Sequence, residues 1–256
     1  MDKVTTPQLT LWEAAKLQFL PGLASVPVFA ILAWWLAGQG MPNIFALMLT
    51  VMFIETPLSW LIMIRHVRAE NNGYFSVAAA FPWMQKNPWW LYLLIGLPLI
   101  LISAVMVAAI GPKIDAQIIS VLFAWVPDWF TMLPDPNVFT TMPRHLMLLM
   151  WATMLIGMIV LGGFTQELYS RGFLLPRLES MGRVAPLYNA LLFAVFHFIA
   201  PWAWPTFFLM VIPWSYLVWW RRSTKIGLFI HVGMLALQWL GMTMILFGVV
   251  DMPMPQ

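Results

Sequence analysis

Long apolar stretches with almost no charge are the feature that most limits what this chain can fold into. Each is close in length to the roughly 20 residues that a helix needs to cross a bilayer. Of the 256 residues, 62% are hydrophobic and 9% are charged, whereas soluble domains carry about 25% charged residues. The seven stretches cover approximately residues 20–37, 44–64, 89–111, 145–164, 185–200, 204–220 and 225–248. The sequence therefore predicts an all-α polytopic integral membrane protein.

The segments between and before these spans complete the predicted architecture. An eighth helical segment is predicted at about 165–180, at the inner face of the membrane. The N-terminal stretch LTLWEAAKLQFL is either an amphipathic helix on the membrane surface or a helical extension of the first span. We expect a single membrane domain over 1–256.

The distribution of lysine and arginine predicts the orientation. If the N-terminus is cytoplasmic and 165–183 lies at the inner face, eleven basic residues are inside and two are outside, a strong positive-inside bias. Lys113 and Arg144 are the two outside. The eleven inside are Lys3, Lys16, Arg65, Arg68, Lys86, Arg171, Arg177, Arg183, Arg221, Arg222 and Lys225. We expect a bacterial plasma membrane as the location.

Ionisable side chains within the spans are few, and because they are costly there they indicate function by default. Glu167 and Arg171 lie four residues apart, so one helical face can hold them as a charge-assisted pair. Taken alone, that pair could simply anchor a helix, and a single histidine could simply pack against a backbone carbonyl. Together they favour one polar site. The group is Glu55, Glu167, Arg171, His197 and His231, with Gln166 as a neutral neighbour.

The pattern of these residues resembles the CAAX protease and bacteriocin-processing (CPBP) family of intramembrane peptidases. The resemblance implies an eight-helix membrane fold in which residues 145–248 form the catalytic-type core. It also implies an endopeptidase, similar to type II CAAX prenyl endopeptidases, that cuts a hydrophobic or lipidated membrane peptide. It also implies that Glu167 and Arg171 shape the site of the base, and that the two histidines bind water and the oxyanion. The matching motifs are Gln166-Glu167-x-x-x-Arg171, Phe193-x-x-x-His197 and His231.

Two positions depart from the family motifs. Gln166 stands where the family has the glutamate that it uses to activate water, and Leu235 stands where it has an asparagine thought to support the oxyanion. Glutamine can bind a water but cannot deprotonate it, and loss of one oxyanion donor typically costs a factor of about 10²–10³ in rate. Glu167 is the next residue, but its side chain points about 100° away from that of Gln166 around the helix axis. The departures predict a chain that cleaves weakly or not at all.

Several functions stay open at this point. Beside the peptidase, a non-catalytic relative could bind a membrane peptide or a partner protein, as in bacteriocin immunity or scaffolding. A transporter is disfavoured because no polar stripe runs through several spans. No cofactor and no nucleic acid partner are expected, although Glu167, His197 and His231 also make a conceivable zinc set. The chain has no cysteine, which excludes disulfides and thiolate ligands.

Glu55 has no counterpart in these motifs. It lies in VMFIETPLSW, two residues before Pro57, which interrupts helical hydrogen bonding and frees backbone carbonyls. One interpretation is a carboxyl group that is kept protonated or is bonded to a neighbouring span. The other is a substitute base that faces the same cavity as the histidines.

The charge asymmetry makes the orientation testable in this cysteine-free chain. Single cysteines introduced near Arg68 and Arg222 should react with a membrane-impermeant maleimide only from the cytoplasmic side. Cysteines near Asp135 and Gln256 should react only from outside. Labelling of the Arg222 and Asp135 positions from the same side would contradict the placement of 165–183.

Overall fold

The computed structural model of the chain describes residues 6–131, 142–247 and 249, so the proposed labelling sites near Asp135 and Gln256 lie outside the described residues. Five of its helices are long and apolar enough to cross a membrane: Leu11–Ala37, Asn43–Glu70, Trp89–Leu122, Arg144–Phe196 and Thr224–Leu246. The all-α polytopic membrane fold predicted from the sequence is confirmed. The main helices are α1 (Leu11–Ala37), α2 (Asn43–Glu70), α3 (Val77–Ala80), α4 (Trp89–Leu122), α5 (Arg144–Phe196), α6 (Trp204–Arg221) and α7 (Thr224–Leu246).

Helix α5 differs from the predicted arrangement. The predicted span 145–164 and the predicted separate segment 165–180 form one continuous helix, because the sequence GGFTQELYS contains no proline that would interrupt it. The chain changes direction instead at Gly182, whose φ of 58° and ψ of −128° are open to glycine. We call residues 144–181 the first limb of α5 and Ala185–Phe196 its second limb. The second limb packs against α6 and α1.

From Leu11 onward, the N-terminal stretch and the first predicted span form one helix, α1. Thr10 and Glu13 form a capping box that fixes where the helix begins. The Glu13 carboxylate accepts a hydrogen bond from the Thr10 backbone N–H at 2.9 Å, and the Thr10 hydroxyl accepts one from the Glu13 N–H at 3.2 Å. From there α1 is helical without interruption to Ala37.

Small residues on the first limb of α5 allow two helices to approach it closely. A Cβ atom at Gly162 would lie 2.7 Å from Val51 of α2, and one at Gly163 would lie 2.7 Å from Leu235 of α7. Helices α2 and α7 therefore pack on the first limb one turn before Gln166 and Glu167. This close packing places the polar residues of all three helices next to each other.

A buried ion pair joins α2 to the first limb of α5. The Arg177 guanidinium donates to both carboxylate oxygens of Glu70, at 3.2 and 2.6 Å, and lies over the ring of Phe173 at 4.2 Å. Arg177 is completely buried. A charge that is buried in this way needs its partner, because the uncompensated ion would have lost its hydration.

This pair should contribute far more to stability than a similar pair at the surface. Glu70→Ala leaves Arg177 buried without a counterion and should lower the free energy of unfolding by about 3 kcal/mol. The matched control is Glu179→Ala, because Glu179 pairs with Arg222 at 2.5 Å and both side chains are partly exposed, 45% and 32%. That change should cost less than about 1 kcal/mol. Thermal unfolding in detergent measures both, and equal losses would contradict the prediction.

Candidate functional site

The Glu167–Arg171 pair lies on α5 where α-helical hydrogen bonding changes to π-helical bonding over Leu168–Leu174. Arg171 Nη1 donates to Glu167 Oε2 at 2.7 Å, and neither side chain is exposed. The guanidinium lies 4.1 Å from the centre of the Phe193 ring, within the range of a cation–π interaction. The second limb of α5 thus covers the charged pair of the first limb.

Glu167 also connects α5 to α7. Its Oε2 lies 3.3 Å from Nδ1 of His231, within ion-pair distance although the angles do not make a hydrogen bond. Its Oε1 fills the space beside Gly227, where a Cβ atom would overlap it. Gly227 is not predictable as a site residue, because a glycine in an apolar helix carries no signal of which side chain it accommodates.

Phe193 supports both histidines. Its ring centre lies 5.0 Å from that of His197 and 5.9 Å from that of His231. His197 Nδ1 donates to the Phe193 carbonyl at 2.8 Å. Because a carbonyl only accepts, Nδ1 carries the proton, and Nε2 of the neutral ring is an acceptor. The motif phenylalanine is therefore the surface against which the cation and both imidazoles pack.

Gln166 faces α2 instead of the Glu167 pair. Its side-chain nitrogen donates to Glu55 Oε1 at 2.6 Å. Glu55 ends a π-helical turn, Val51–Glu55, in which the Thr56 N–H reaches back to the Val51 carbonyl. Such turns are frequent at functional sites. The glutamate that matches no motif is thus bonded directly to the first motif position.

A cavity of about 340 Å³ lies between α1, α2, α4, α5, α6 and α7. Most of its wall is apolar and includes Leu235, which presents no donor at the position of the third motif. The polar residues in its wall are Ser25, Glu55, Asp115, Gln166, His197, Thr206, His231 and Gln238.

The structure brings only some of the predicted site residues to this cavity. Gln166, His197 and His231 line it, whereas Glu167 and Arg171 are not part of the wall and lie fully buried. Their catalytic roles remain predictions. In the part of the chain that the structure describes, no three His, Asp or Glu residues have the spacing of a metal site. The conceivable zinc set of Glu167, His197 and His231 stays a prediction.

The chain was compared with models of protein families. Residues 148–237 match the Rce1-like family model, whose description is type II CAAX prenyl endopeptidase Rce1-like. The match contains every motif position and confirms the resemblance that these positions indicate. No curated protein and no solved structure matches the chain.

The Glu167 carboxylate fits beside α7 only because residue 227 has no side chain. Gly227→Ala should displace the Glu167 carboxylate from Arg171 and His231 and cost about 2–3 kcal/mol of unfolding free energy. Gly241→Ala on the same helix is the control, because a Cβ atom there would meet nothing within 4 Å. It should be neutral or stabilise by up to about 1 kcal/mol. Melting temperatures in detergent compare the two, and similar values would show that Glu167 does not need this space.

Proposed function

We propose that this chain, which belongs to the Rce1-like CAAX protease family through residues 148–237, is an intramembrane endopeptidase that cuts a hydrophobic or lipidated membrane peptide. The observation that carries the proposal is that both motif histidines and Gln166 line one largely apolar cavity. We further propose a bacterial plasma membrane as its location, with the N-terminus in the cytoplasm.

The cavity suits a substrate with an apolar chain. Its wall includes Met158, Met210 and Met234, and flexible thioether side chains adapt to ligands of irregular shape. The polar groups of the wall could bind the peptide bond and a water beside that chain. Both requirements of a lipidated or hydrophobic peptide are therefore met in the same space.

Peptide hydrolysis needs an oriented water, a base that takes its proton, and donors for the oxyanion. His197 orients the water, because its Nε2 is an acceptor while Nδ1 is held by the Phe193 carbonyl. His231 serves the oxyanion, since its ring lines the cavity and a ring nitrogen that carries a proton is a hydrogen-bond donor. Glu167 and Arg171 act by holding His231 and Phe193 in place.

The departures at Gln166 and Leu235 favour a second candidate function. A chain that lacks the motif carboxylate and one oxyanion donor could keep the cavity and lose the chemistry. It would then bind a membrane peptide or a partner protein without cutting it. Peptide binding without turnover distinguishes this candidate from the peptidase.

Turnover of a quenched fluorescent peptide with a farnesylated CAAX end, measured in proteoliposomes, tests the peptidase. We expect slow cleavage by the chain, none by His197→Ala, and an increase of about 10²-fold in Leu235→Asn, which supplies the missing donor. Gln166→Glu should also cleave, because it returns a carboxylate to the first motif. If the chain, Gln166→Glu and Gln166→Glu/Leu235→Asn all bind the peptide and none cuts it, the binding function replaces the peptidase.

A further inference from the structure

We infer that Glu55 is the general base of this site, so that the carboxylate which takes the proton of water comes from α2. The inference rests on the proposed peptidase function. It adds a catalytic residue from outside the segment 148–237 that matches the family model. Four observations support it. Glu55 lies beside Gln166, one of its oxygens accepts no hydrogen bond from a described residue, the other nearby carboxylates have different partners, and two hydrogen bonds hold α2 against α5.

The end of the Glu55 side chain lies directly beside that of Gln166. The two side-chain ends are 2.6 Å apart and both line the cavity, so they reach the same part of it. Their pairing is also chemically specific. An amide N–H donates to a carboxylate, whereas two carboxylates at this distance would have to share a proton. Glutamine at 166 is therefore the residue that fits beside a carboxylate at 55.

One oxygen of Glu55 is left for a water. Oε1 accepts the bond from Gln166, and no described residue donates a hydrogen bond to Oε2. Likewise, no Lys, Arg or His among the described residues forms an ion pair with Glu55. A carboxylate that is held by a neutral donor on one side can take a proton on the other.

The other nearby carboxylates are less suited to this role. Glu167 is bound to Arg171 and does not line the cavity. Asp115 does line it, but its Oδ1 accepts a hydrogen bond from the Thr206 hydroxyl at 3.1 Å, on the side of α4 and α6. Of the two carboxylates that line the cavity, Glu55 is the one hydrogen-bonded to a motif residue, Gln166.

Glu55 is also held rigidly. Five residues further along α2, Trp60 Nε1 donates to the Thr165 hydroxyl at 3.0 Å. Together with the bond between Glu55 and Gln166, this contact fixes α2 against α5 at two points. A catalytic group needs such positional precision, because small displacements from the reacting geometry lower the rate steeply.

In the reaction, the Glu55 carboxylate takes one proton from a water while the water oxygen bonds to the peptide carbonyl carbon. The carbonyl electron pair moves to its oxygen, which His231 stabilises. When the tetrahedral intermediate collapses, the carbon–nitrogen bond breaks and the protonated Glu55 gives its proton to the leaving nitrogen. The products are a carboxylic acid and an amine, and Glu55 returns to its carboxylate form.

Isosteric exchange of the two groups tests the inference with the farnesylated peptide in proteoliposomes. Glu55→Gln keeps an oxygen that accepts from Gln166, so the contact and the fold are retained. We expect kcat to fall at least about 10²-fold, with KM and photo-crosslinking of the peptide unchanged. Glu55→Gln/Gln166→Glu should recover cleavage, because carboxylate and amide exchange places across one hydrogen bond. Glu179→Gln, at a site whose side chain is 45% exposed, is the control for the substitution itself and should cleave like the original chain.

The possible results separate the inference from the proposed function. If Glu55→Gln keeps full kcat while His197→Ala has none, or if Asp115→Asn loses more activity than Glu55→Gln, another group is the base. If the original chain cleaves no peptide and Gln166→Glu does, Glu55 is not the base, and the proposed peptidase function is retained. Absence of cleavage in the chain, in Gln166→Glu and in the exchanged double variant overturns both.

Discussion

The buried ion pair between Glu167 and Arg171 is the interaction on which the rest of the site depends. Neither side chain reaches solvent, and removing one partner from such a pair typically costs about 3–5 kcal/mol. Three neighbouring residues accommodate the two charged side chains. Phe193 covers the guanidinium, Gly227 leaves room for one carboxylate oxygen, and His231 approaches the other oxygen, the one that Arg171 binds. The contact between α5 and α7 at Gly227 is therefore shaped by the Glu167 carboxylate.

The pair also explains why adjacent residues of the first motif do different things. Successive helical side chains point about 100° apart, so Glu167 faces α7 while Gln166 faces α2 and the cavity. The Glu167 carboxylate of the first motif is thus enclosed in the protein, where it positions other groups. The part of the motif that reaches the cavity is neutral, and the carboxylate beside it belongs to Glu55.

The cavity therefore depends on the whole chain. Ser25 of α1, Glu55 of α2 and Asp115 of α4 lie in its wall, and all three precede the segment that matches the family model. The glycines of the first limb of α5 allow α2 to come close enough for this. Substitutions in the N-terminal half can consequently change the chemistry of motifs that lie more than a hundred residues later.

The sequence by itself determined the membrane class, the helical fold and the motif residues, because apolar length and i,i+4 spacing are local properties. It could not show that Gly227 accommodates Glu167, that Arg177 pairs with Glu70, or that Glu55 bonds to Gln166, 111 residues away. Local patterns specify which face of a helix is polar, but they do not specify which other helix that face meets. Only the packing of α2, α5 and α7 decided those contacts, since close approach at small residues selects one arrangement among many with similar apolar burial.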